Sequence, residues 1–180
     1  MQIPQTEWER VHYRLGLAGE GHADIIEMRL AEHRGVLLDI GCGPQGHHAG
    51  NLAKWCRYLV AADKDLGMVE SASRDYLLSS ISFVAANAYD LPFSEAAFDG
   101  VIGLGLLAYI TEVEQLLREL RRVTRRGGRI ILTDSVVRDR RRVLAAAEAT
   151  DLRLLDEAEG LCPAASGPIK RRYLWVLEAK

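Results

Sequence analysis

Short apolar runs alternate with amphipathic segments from residue 36 of the chain onward. The run Val36–Ile40 is too short for a helix, and its Val, Leu and Ile content is typical of a strand buried on both faces. Four later runs have the same character, at residues 58–62, 81–85, 100–104 and 129–133. Because segments with helical spacing separate the runs, the pattern predicts parallel strands alternating with helices that cover both faces of one sheet.

The segments between these runs repeat apolar residues at helical intervals. We predict helices over residues 49–56, 66–77, 111–124 and 137–150. The third is the clearest, because five apolar residues share one of its faces: Val113, Leu116, Leu117, Leu120 and Val123. We predict Thr111 as the N-cap of this helix, and Gly127 with Gly128 as its end.

The end of the chain follows a different pattern. Apolar runs at residues 152–156 and 173–178 are separated by the stretch LCPAASGPIK, which has no helical spacing. Two strands joined without a helix pair antiparallel, so we predict a closing hairpin at one edge of the sheet. The predicted fold class is α/β, with a seven-stranded, mostly parallel sheet, a C-terminal antiparallel hairpin and helices on both faces in three layers.

The segment before the first strand has helical spacing over residues 5–33, broken by Gly16, Gly19 and Gly21. This pattern predicts two short helices joined by a flexible hinge. Residues 1–34 are expected to cover the sheet or to act as a lid over the site. We expect residues 1–180 to form a single domain, with residues 35–180 as its core.

Composition and charge exclude several classes of protein. The chain has 180 residues, a net charge of -2, 48% hydrophobic residues and 27% charged residues, which is typical of a soluble domain with no general attraction to nucleic acid or membranes. The longest apolar run, residues 101–110, is about half of a membrane span, and the N-terminus lacks the apolar core of a signal peptide. Cys42, Cys56 and Cys162 have no short metal-ligand spacing. We therefore expect a cytoplasmic protein without a metal site.

A glycine-rich turn follows the first strand, in the sequence VLLDIGCGPQG of residues 36–46. Gly41, Gly43 and Gly46 permit a tight turn at which the backbone can approach a ligand. Asp39 interrupts the buried strand, where a carboxylate is costly unless it has a partner or a ligand. Asp63 follows the second strand at the same edge of a parallel sheet, where it can accept hydrogen bonds from the two hydroxyls of a ribose.

The spacing of these glycines also fits G-x-G-x-x-G, so an NAD-dependent oxidoreductase is an open alternative. Three features disfavour it. Asp39 stands where dinucleotide-binding folds usually have an apolar residue, the following helix opens with polar Gln45, His47 and His48, and the hairpin leaves no room for a substrate domain. A non-catalytic binding domain with the same fold is a further alternative.

Five motifs follow one another along the chain: DIGCGPQG, AADKD, NAYDLPF, FDGVIG and RELRRVTRRGGRIILTD. In order and spacing they resemble the motifs of class I S-adenosylmethionine-dependent methyltransferases, over nearly the whole chain from Val36 to Lys180. The resemblance implies a Rossmann-like fold whose last strand is antiparallel to the others. It also implies S-adenosylmethionine as the cofactor and methyl transfer as the activity.

The resemblance assigns the amino-acid end of the cofactor to the first motif. Asp39, Gly41, Cys42 and Gly43 would hold that end. Asp63 would hold the ribose hydroxyls, which agrees with its position after the second strand.

The resemblance assigns the adenine and the sulfonium to residues that follow later strands. Lys64 and Met68 would lie near the adenine, Asn87 and Ala88 would meet its edge, and Leu104 would pass near the sulfonium. Many relatives have Asp where this chain has Asn87. An Asn side chain can still accept a hydrogen bond from the adenine amino group through its carbonyl oxygen.

Methyl transfer from a sulfonium mainly requires alignment of a nucleophile and exclusion of water. A hydroxyl or ammonium acceptor also needs a base to take its proton, and the candidates near strand ends are His12, His22, His47, Tyr109 and Asp134. Position in the sequence is the only guide to these five residues, so the sequence assigns no catalytic residue.

The acceptor is expected to be a small molecule with an O, N or C nucleophile, because little chain remains for a substrate domain. Its pocket is expected to come from residues 1–30, 104–112 and 157–171. The segment GLGLLAYI lacks the Asn/Asp-Pro-Pro-Tyr/Phe pattern of enzymes that methylate planar nitrogens of adenine or glutamine. Clustered arginines in the second half of the chain leave an RNA acceptor as an alternative, although solvated helix surfaces explain them more simply.

Overall fold

The computed structural model describes residues 35–44, 49–76, 79–134, 139–162 and 170–180, and a seven-stranded sheet runs through them. The strands are β1 (Val36–Ile40), β2 (Tyr58–Asp63), β3 (Ile81–Ala85), β4 (Phe98–Leu104), β5 (Thr124–Asp134), β6 (Leu152–Cys162) and β7 (Lys170–Ala179). Their order is β3-β2-β1-β4-β5-β7-β6. The strands β1 to β5 are parallel, and β7 is antiparallel to both of its neighbours. The predicted fold class is confirmed.

Helices connect the parallel strands and cover the sheet. They are α1 (Ala49–Leu52), α2 (Leu66–Asp75), α3 (Val113–Val123) and α4 (Asp139–Ala149), with a 3-10 helix at Leu106–Tyr109. No helix within the described ranges is long and apolar enough to cross a membrane. The helices predicted within residues 5–33 lie outside the described residues, as does their predicted use as a cover or lid. The single-domain organisation stays a prediction.

The central strand β1 is buried on both faces, as its apolar residues predict. Leu38 and Ile40 pack into a core cluster that includes residues of α3 and α4. Leu37 points to the opposite face and packs into a second cluster with Leu52 of α1 and Leu59 of β2. Because neighbouring residues of a strand face opposite sides, one short segment supplies both cores.

The helix α3 buries the apolar face that its spacing predicts, but its ends differ from the prediction. It begins at Val113, so the N-cap is Glu112 and not Thr111, and the Glu112 side chain makes no capping hydrogen bond. It ends at Val123, and β5 begins immediately at Thr124. The double glycine therefore lies within β5 and does not end the helix.

Extra residues of β5 bulge out next to β4, which explains this difference. Thr124 pairs with Phe98, and the next pair joins Arg129 to Gly100, so more residues of β5 than of β4 lie between the two pairs. Gly127 has a φ of +75°, which lets the backbone make this detour without strain.

Two other predicted elements also differ in length. The helix α1 ends at Leu52 rather than at residue 56. The hairpin is longer than predicted, because β6 continues to Cys162 and β7 already begins at Lys170. The described part of the segment 157–171, which is predicted to contribute to the acceptor pocket, is therefore paired strand. The β6–β7 pairing extends from Leu152–Ala179 to Cys162–Lys170.

Candidate functional site

The carboxyl ends of β1, β2, β3 and β4 lie at one edge of the sheet because these strands are parallel. A cavity of about 340 Å³ lies at this edge, which is within the size range of small-molecule sites. Most of the predicted cofactor residues line it, namely Gly41, Gly43, Asp63, Lys64, Met68, Asn87, Ala88 and Leu104. Asp39 and Cys42 are buried and do not line the cavity.

The glycine turn forms one wall of the cavity and is fastened to the end of β2. The N–H groups of Gly41 and Cys42 donate to the Ala62 carbonyl over 2.8 and 3.1 Å. Gly41 has a φ of +78° and Gly43 a φ of +68°, which favours glycine at both positions. A Cβ on Gly41 would lie 3.1 Å from Leu106 Cδ1, so the turn also packs closely against the segment after β4.

Asp63 ends β2 with both carboxylate oxygens oriented by backbone N–H groups. Its Oδ2 accepts from Gly43 N over 3.1 Å, and its Oδ1 accepts from Asp65 N over 3.1 Å. Asp65 has a different task, because its side chain accepts from Gly67 N and Met68 N as the N-cap of α2. Each Asp63 oxygen keeps a free lone pair, so the carboxylate can accept two hydroxyl groups from a ligand in the cavity.

Asp39 lies in β1 with only 3% of its surface exposed. Burial, and secondly the negative charge of Asp63, raise the pKa of the Asp39 carboxyl from 3.8 to about 7. Burial, and then the charges of Asp39 and Asp63, raise the pKa of the Cys42 thiol to about 12. The thiol is therefore neutral at neutral pH, and the two carboxyl groups favour a positively charged ligand group nearby.

The turn that follows β3 forms another wall. Asn87 Oδ1 accepts from Tyr89 N over 3.1 Å, and the Asn87 carbonyl accepts from Asp90 N over 3.0 Å. Ala88 is buried, with 9% of its surface exposed. The Asn87 side-chain oxygen thus already accepts one hydrogen bond within its own turn, while the amide NH₂ group supplies donors.

Two residues of α3 hold the segment after this turn. Glu119 Oε1 accepts from Leu91 N over 2.7 Å. Arg122 donates to the Phe93 carbonyl over 2.8 Å, to the Leu91 carbonyl over 3.0 Å and to Glu119. The hydrogen bonds from Arg122 lower the pKa of the Glu119 carboxyl despite its partial burial. Apart from the i, i+3 spacing of Glu119 and Arg122, no sequence pattern predicts these hydrogen bonds.

The segment after β4 supplies the remaining described wall. Leu104, Gly105, Leu106, Tyr109 and Ile110 line the cavity. They belong to the segment 104–112, whose contribution to an acceptor pocket stays a prediction. Tyr109 is 79% exposed, which is unusual for an aromatic side chain at a cavity. The stretch 1–30, also predicted to contribute, lies outside the described residues, and the described part of 157–171 is paired strand.

The candidate bases are distributed unevenly. Tyr109 lines the cavity, and Asp134 ends β5. His12, His22 and His47 lie outside the described residues. Within the described ranges, no group of three or more His, Cys, Asp or Glu side chains could hold a metal ion.

Comparison with known proteins identifies the family to which this chain belongs. A family model described as a methyltransferase domain matches residues 38–132, which is more than half of the chain. The chain belongs to the class I S-adenosylmethionine-dependent methyltransferases. This membership disfavours the oxidoreductase alternative, since the glycine turn belongs to the matched domain.

Two curated methyltransferases illustrate the similarity. The chain is 30% identical to ajmaline N-methyltransferase of Rauvolfia serpentina over 107 residues, which cover 57% of this chain and 37% of that protein. It is 32% identical to the methyltransferase GfsG of Streptomyces halstedii over 130 residues, which cover 69% of this chain and 46% of that protein. The chain thus spans less than half of the length of these relatives.

A solved structure matches over almost the whole chain. The TehB-like S-adenosylmethionine-dependent methyltransferase from Corynebacterium glutamicum has a TM-score of 0.73 and 25% sequence identity, and the match covers 95% of this chain and 94% of that one. The two proteins therefore share the fold. In this chain, the glycine turn and Asp63 lie at the carboxyl edge of the sheet.

Proposed function

We propose that this member of the family transfers a methyl group from S-adenosylmethionine to an O, N or C nucleophile of a small-molecule acceptor. The observation that carries the proposal is Asp63, whose two oxygens are oriented by the N–H groups of Gly43 and Asp65 at the wall of the cavity. A carboxylate with this orientation suits a vicinal diol such as that of a ribose. The membership in the methyltransferase family supports the same assignment.

The residues around the cavity fit S-adenosylmethionine in charge and shape. Asp63 would hold the ribose hydroxyls. The amino-acid end would lie at Gly41 and Gly43, above the buried carboxyl of Asp39 and the Cys42 thiol. Carboxyl groups at this position suit a cofactor that carries an ammonium and a sulfonium.

The adenine and the sulfonium would meet mostly apolar side chains. Met68 and Ala88 would lie beside the adenine with Asn87 at its edge, Lys64 would lie near it, and Leu104 would lie near the sulfonium. Because Asn87 Oδ1 already accepts from Tyr89 N, we propose that the Asn87 NH₂ group donates to a ring nitrogen in addition to the contact predicted for its oxygen.

Bound S-adenosylmethionine would supply a methyl group that is already activated for in-line displacement. The protein would bind the acceptor against the segment after β4, orient it and exclude water. The exposed ring of Tyr109 suits contact with such an acceptor. A small acceptor is supported by relatives whose names describe an ajmaline N-methyltransferase and O-methyltransferases. We assign no base.

Calorimetry with S-adenosylmethionine, S-adenosylhomocysteine and NAD tests the cofactor. We expect the wild type to bind the first two ligands and Asp63→Ala to bind them roughly tenfold to a hundredfold more weakly, because two hydrogen bonds to a charged group are lost. Asp63→Asn keeps the size of the side chain and should also bind more weakly, since its amide nitrogen cannot accept.

Glu114→Ala is the control for a lost carboxylate, because Glu114 is exposed on α3 and forms an ion pair with Arg118. Its affinity for S-adenosylhomocysteine should equal that of the wild type. Binding of NAD alone would favour the oxidoreductase. Absence of binding to all three ligands would favour a non-catalytic domain.

A further inference from the structure

The hydroxyl of Tyr89 accepts hydrogen bonds from two successive backbone groups at the start of α3. The N–H of Thr111 donates over 3.1 Å and that of Glu112 over 3.2 Å, and Thr111 Oγ1 lies 3.5 Å away. The N-cap residue Glu112 makes no side-chain capping bond. Tyr89 therefore satisfies the N–H group of the N-cap residue and that of the residue before it, and neither of these groups has a partner within the helix.

The same residue is fixed on its other side by the turn after β3. The N–H of Tyr89 donates to Asn87 Oδ1 over 3.1 Å, and Tyr89 lines the cavity beside Asn87 and Ala88. Its ring also packs against the core cluster that includes α3. One residue thus joins the wall proposed for the adenine to the start of α3.

The residues that receive these contacts lie directly after the segment proposed for the acceptor. Leu106, Tyr109 and Ile110 line the cavity immediately before Thr111 and Glu112. Arg142 of α4 donates to the Thr111 carbonyl, so Thr111 is held from two sides. A shift of the Asn87 turn would therefore move Tyr89, and with it the cavity-lining segment that ends at Ile110.

The electrostatics of the hydroxyl agree with this arrangement. Partial burial opposes ionisation of Tyr89, but the hydrogen bonds from Thr111 and Glu112 outweigh it and lower the pKa of the phenol. A phenol oxygen that accepts two N–H groups holds its own proton less tightly, so its hydroxyl is a stronger hydrogen-bond donor than one that faces water alone.

We propose that Tyr89 is a positioning residue that couples ligand binding at Asn87 and Ala88 to the order of the acceptor wall, residues 105–112. The inference rests on the proposed function, because it takes the adenine of the cofactor as the ligand that contacts Asn87. By linkage, a ligand that orders the turn also orders the wall, and loss of the link lowers the affinity for the ligand.

Hydrogen exchange with and without saturating S-adenosylhomocysteine tests the coupling. In the wild type we expect the ligand to slow exchange in peptides that cover residues 111–117. In Tyr89→Phe we expect no ligand-dependent slowing there, and an affinity for S-adenosylhomocysteine reduced roughly fivefold or more, the effect of losing an ordinary coupling free energy.

Tyr58→Phe is the matched control. It also removes one hydroxyl, which lies 2.6 Å from Ser82 Oγ at the amino end of β2, away from the cavity edge. It should keep both the affinity and the ligand-dependent slowing. Thermal unfolding midpoints close to that of the wild type would show that both variants keep the fold, as expected because Tyr89→Phe retains the packed ring.

The outcomes separate the two proposals. If the wild type binds S-adenosylhomocysteine without a change in exchange at residues 111–117, the coupling is refuted and the proposed function stands. Ligand-dependent slowing that survives in Tyr89→Phe also refutes the coupling, since a purely structural tyrosine would leave that difference intact. If the wild type does not bind the ligand, both proposals fail.

Discussion

Asp39 is buried in the central strand beside the charge of Asp63, so its protonation depends on folding. Its carboxyl ionises near pH 3.8 in the unfolded chain and near pH 7 in the folded chain. Between these values the folded chain holds one proton more than the unfolded chain. The free energy of unfolding therefore falls as the pH rises from about 4 to about 7, by at most about 4 kcal/mol.

Asp39→Asn should remove this contribution, because the amide does not titrate. Relative to the wild type, we expect the variant to gain roughly 2 to 3 kcal/mol of stability between about pH 5 and about pH 7. Urea unfolding of both proteins at the two pH values measures the gain. The difference between the two proteins isolates Asp39 from other carboxyl groups such as Glu119, whose lowered pKa acts in the opposite direction. A constant difference would show that Asp39 is ionised in the folded chain.

The sequence indicated Asp39, Asp63 and the glycines of the turn because they lie next to a buried strand in short, recognisable motifs. It gave no indication of Tyr89. The hydroxyl of Tyr89 reaches backbone groups more than twenty residues away in the chain, and the folded backbone alone brings them together.

At the scale of elements, α3 holds the segment after the Asn87 turn through Glu119 and Arg122. Their side chains are 12% and 32% exposed. They replace water as the partners of Leu91 N, the Leu91 carbonyl and the Phe93 carbonyl. The position of this segment, which follows the wall proposed for the adenine, thus depends on a helix that does not itself line the cavity.

Arg122→Met should destabilise the fold by roughly 1.5 to 3 kcal/mol, because two carbonyl groups and Glu119 lose a charged donor. Arg118→Met is the control on the same helix. Arg118 pairs with Glu114 while both are exposed, so its loss should cost only about 0.3 to 0.5 kcal/mol. Urea unfolding of both variants compares the costs. Equal costs would show that the hydrogen bonds of Arg122 do not hold the segment.

The apolar spacing predicted the buried face of α3 but not its ends. The face depends on residues a turn apart, whereas the ends depend on distant partners. Tyr89 binds the backbone groups before the first turn, and the pairing of Thr124 with Phe98 begins β5 directly after the last turn. The prediction of Thr111 as the N-cap and of the double glycine as the helix end used local rules only.

At the scale of the whole molecule, seven arginines of the second half form ion pairs with carboxylates of the same chain among the residues that the structure describes. The described ion pairs are Arg118–Glu114, Arg121–Asp151, Arg122–Glu119, Arg125–Asp99, Arg129–Glu178, Arg140–Glu157 and Arg153–Glu178. Paired arginines offer less charge to phosphates than an unpaired cluster would. The charge distribution therefore favours the small-molecule acceptor over RNA.

Salt dependence distinguishes the two acceptor classes. We expect the affinity for S-adenosylhomocysteine to change less than about twofold between 50 and 200 mM salt, since few ions are released. A labelled RNA hairpin should show no saturable binding by fluorescence anisotropy over that range. Tight RNA binding that falls by about a thousandfold or more over the same range would indicate an RNA acceptor.

The sequence by itself determined the succession of strands and helices along the chain, their buried faces, the glycine turn and the acidic residue that ends β2. These features depend on residues a few positions apart, and a parallel sheet then brings the strand ends to one edge. The tertiary structure decided the ends of α3, the length of the hairpin, the shifted pKa of Asp39 and the contacts of Tyr89, Glu119 and Arg122. Each of these depends on groups that are distant in the chain, and only the packed backbone sets their distances and their separation from water.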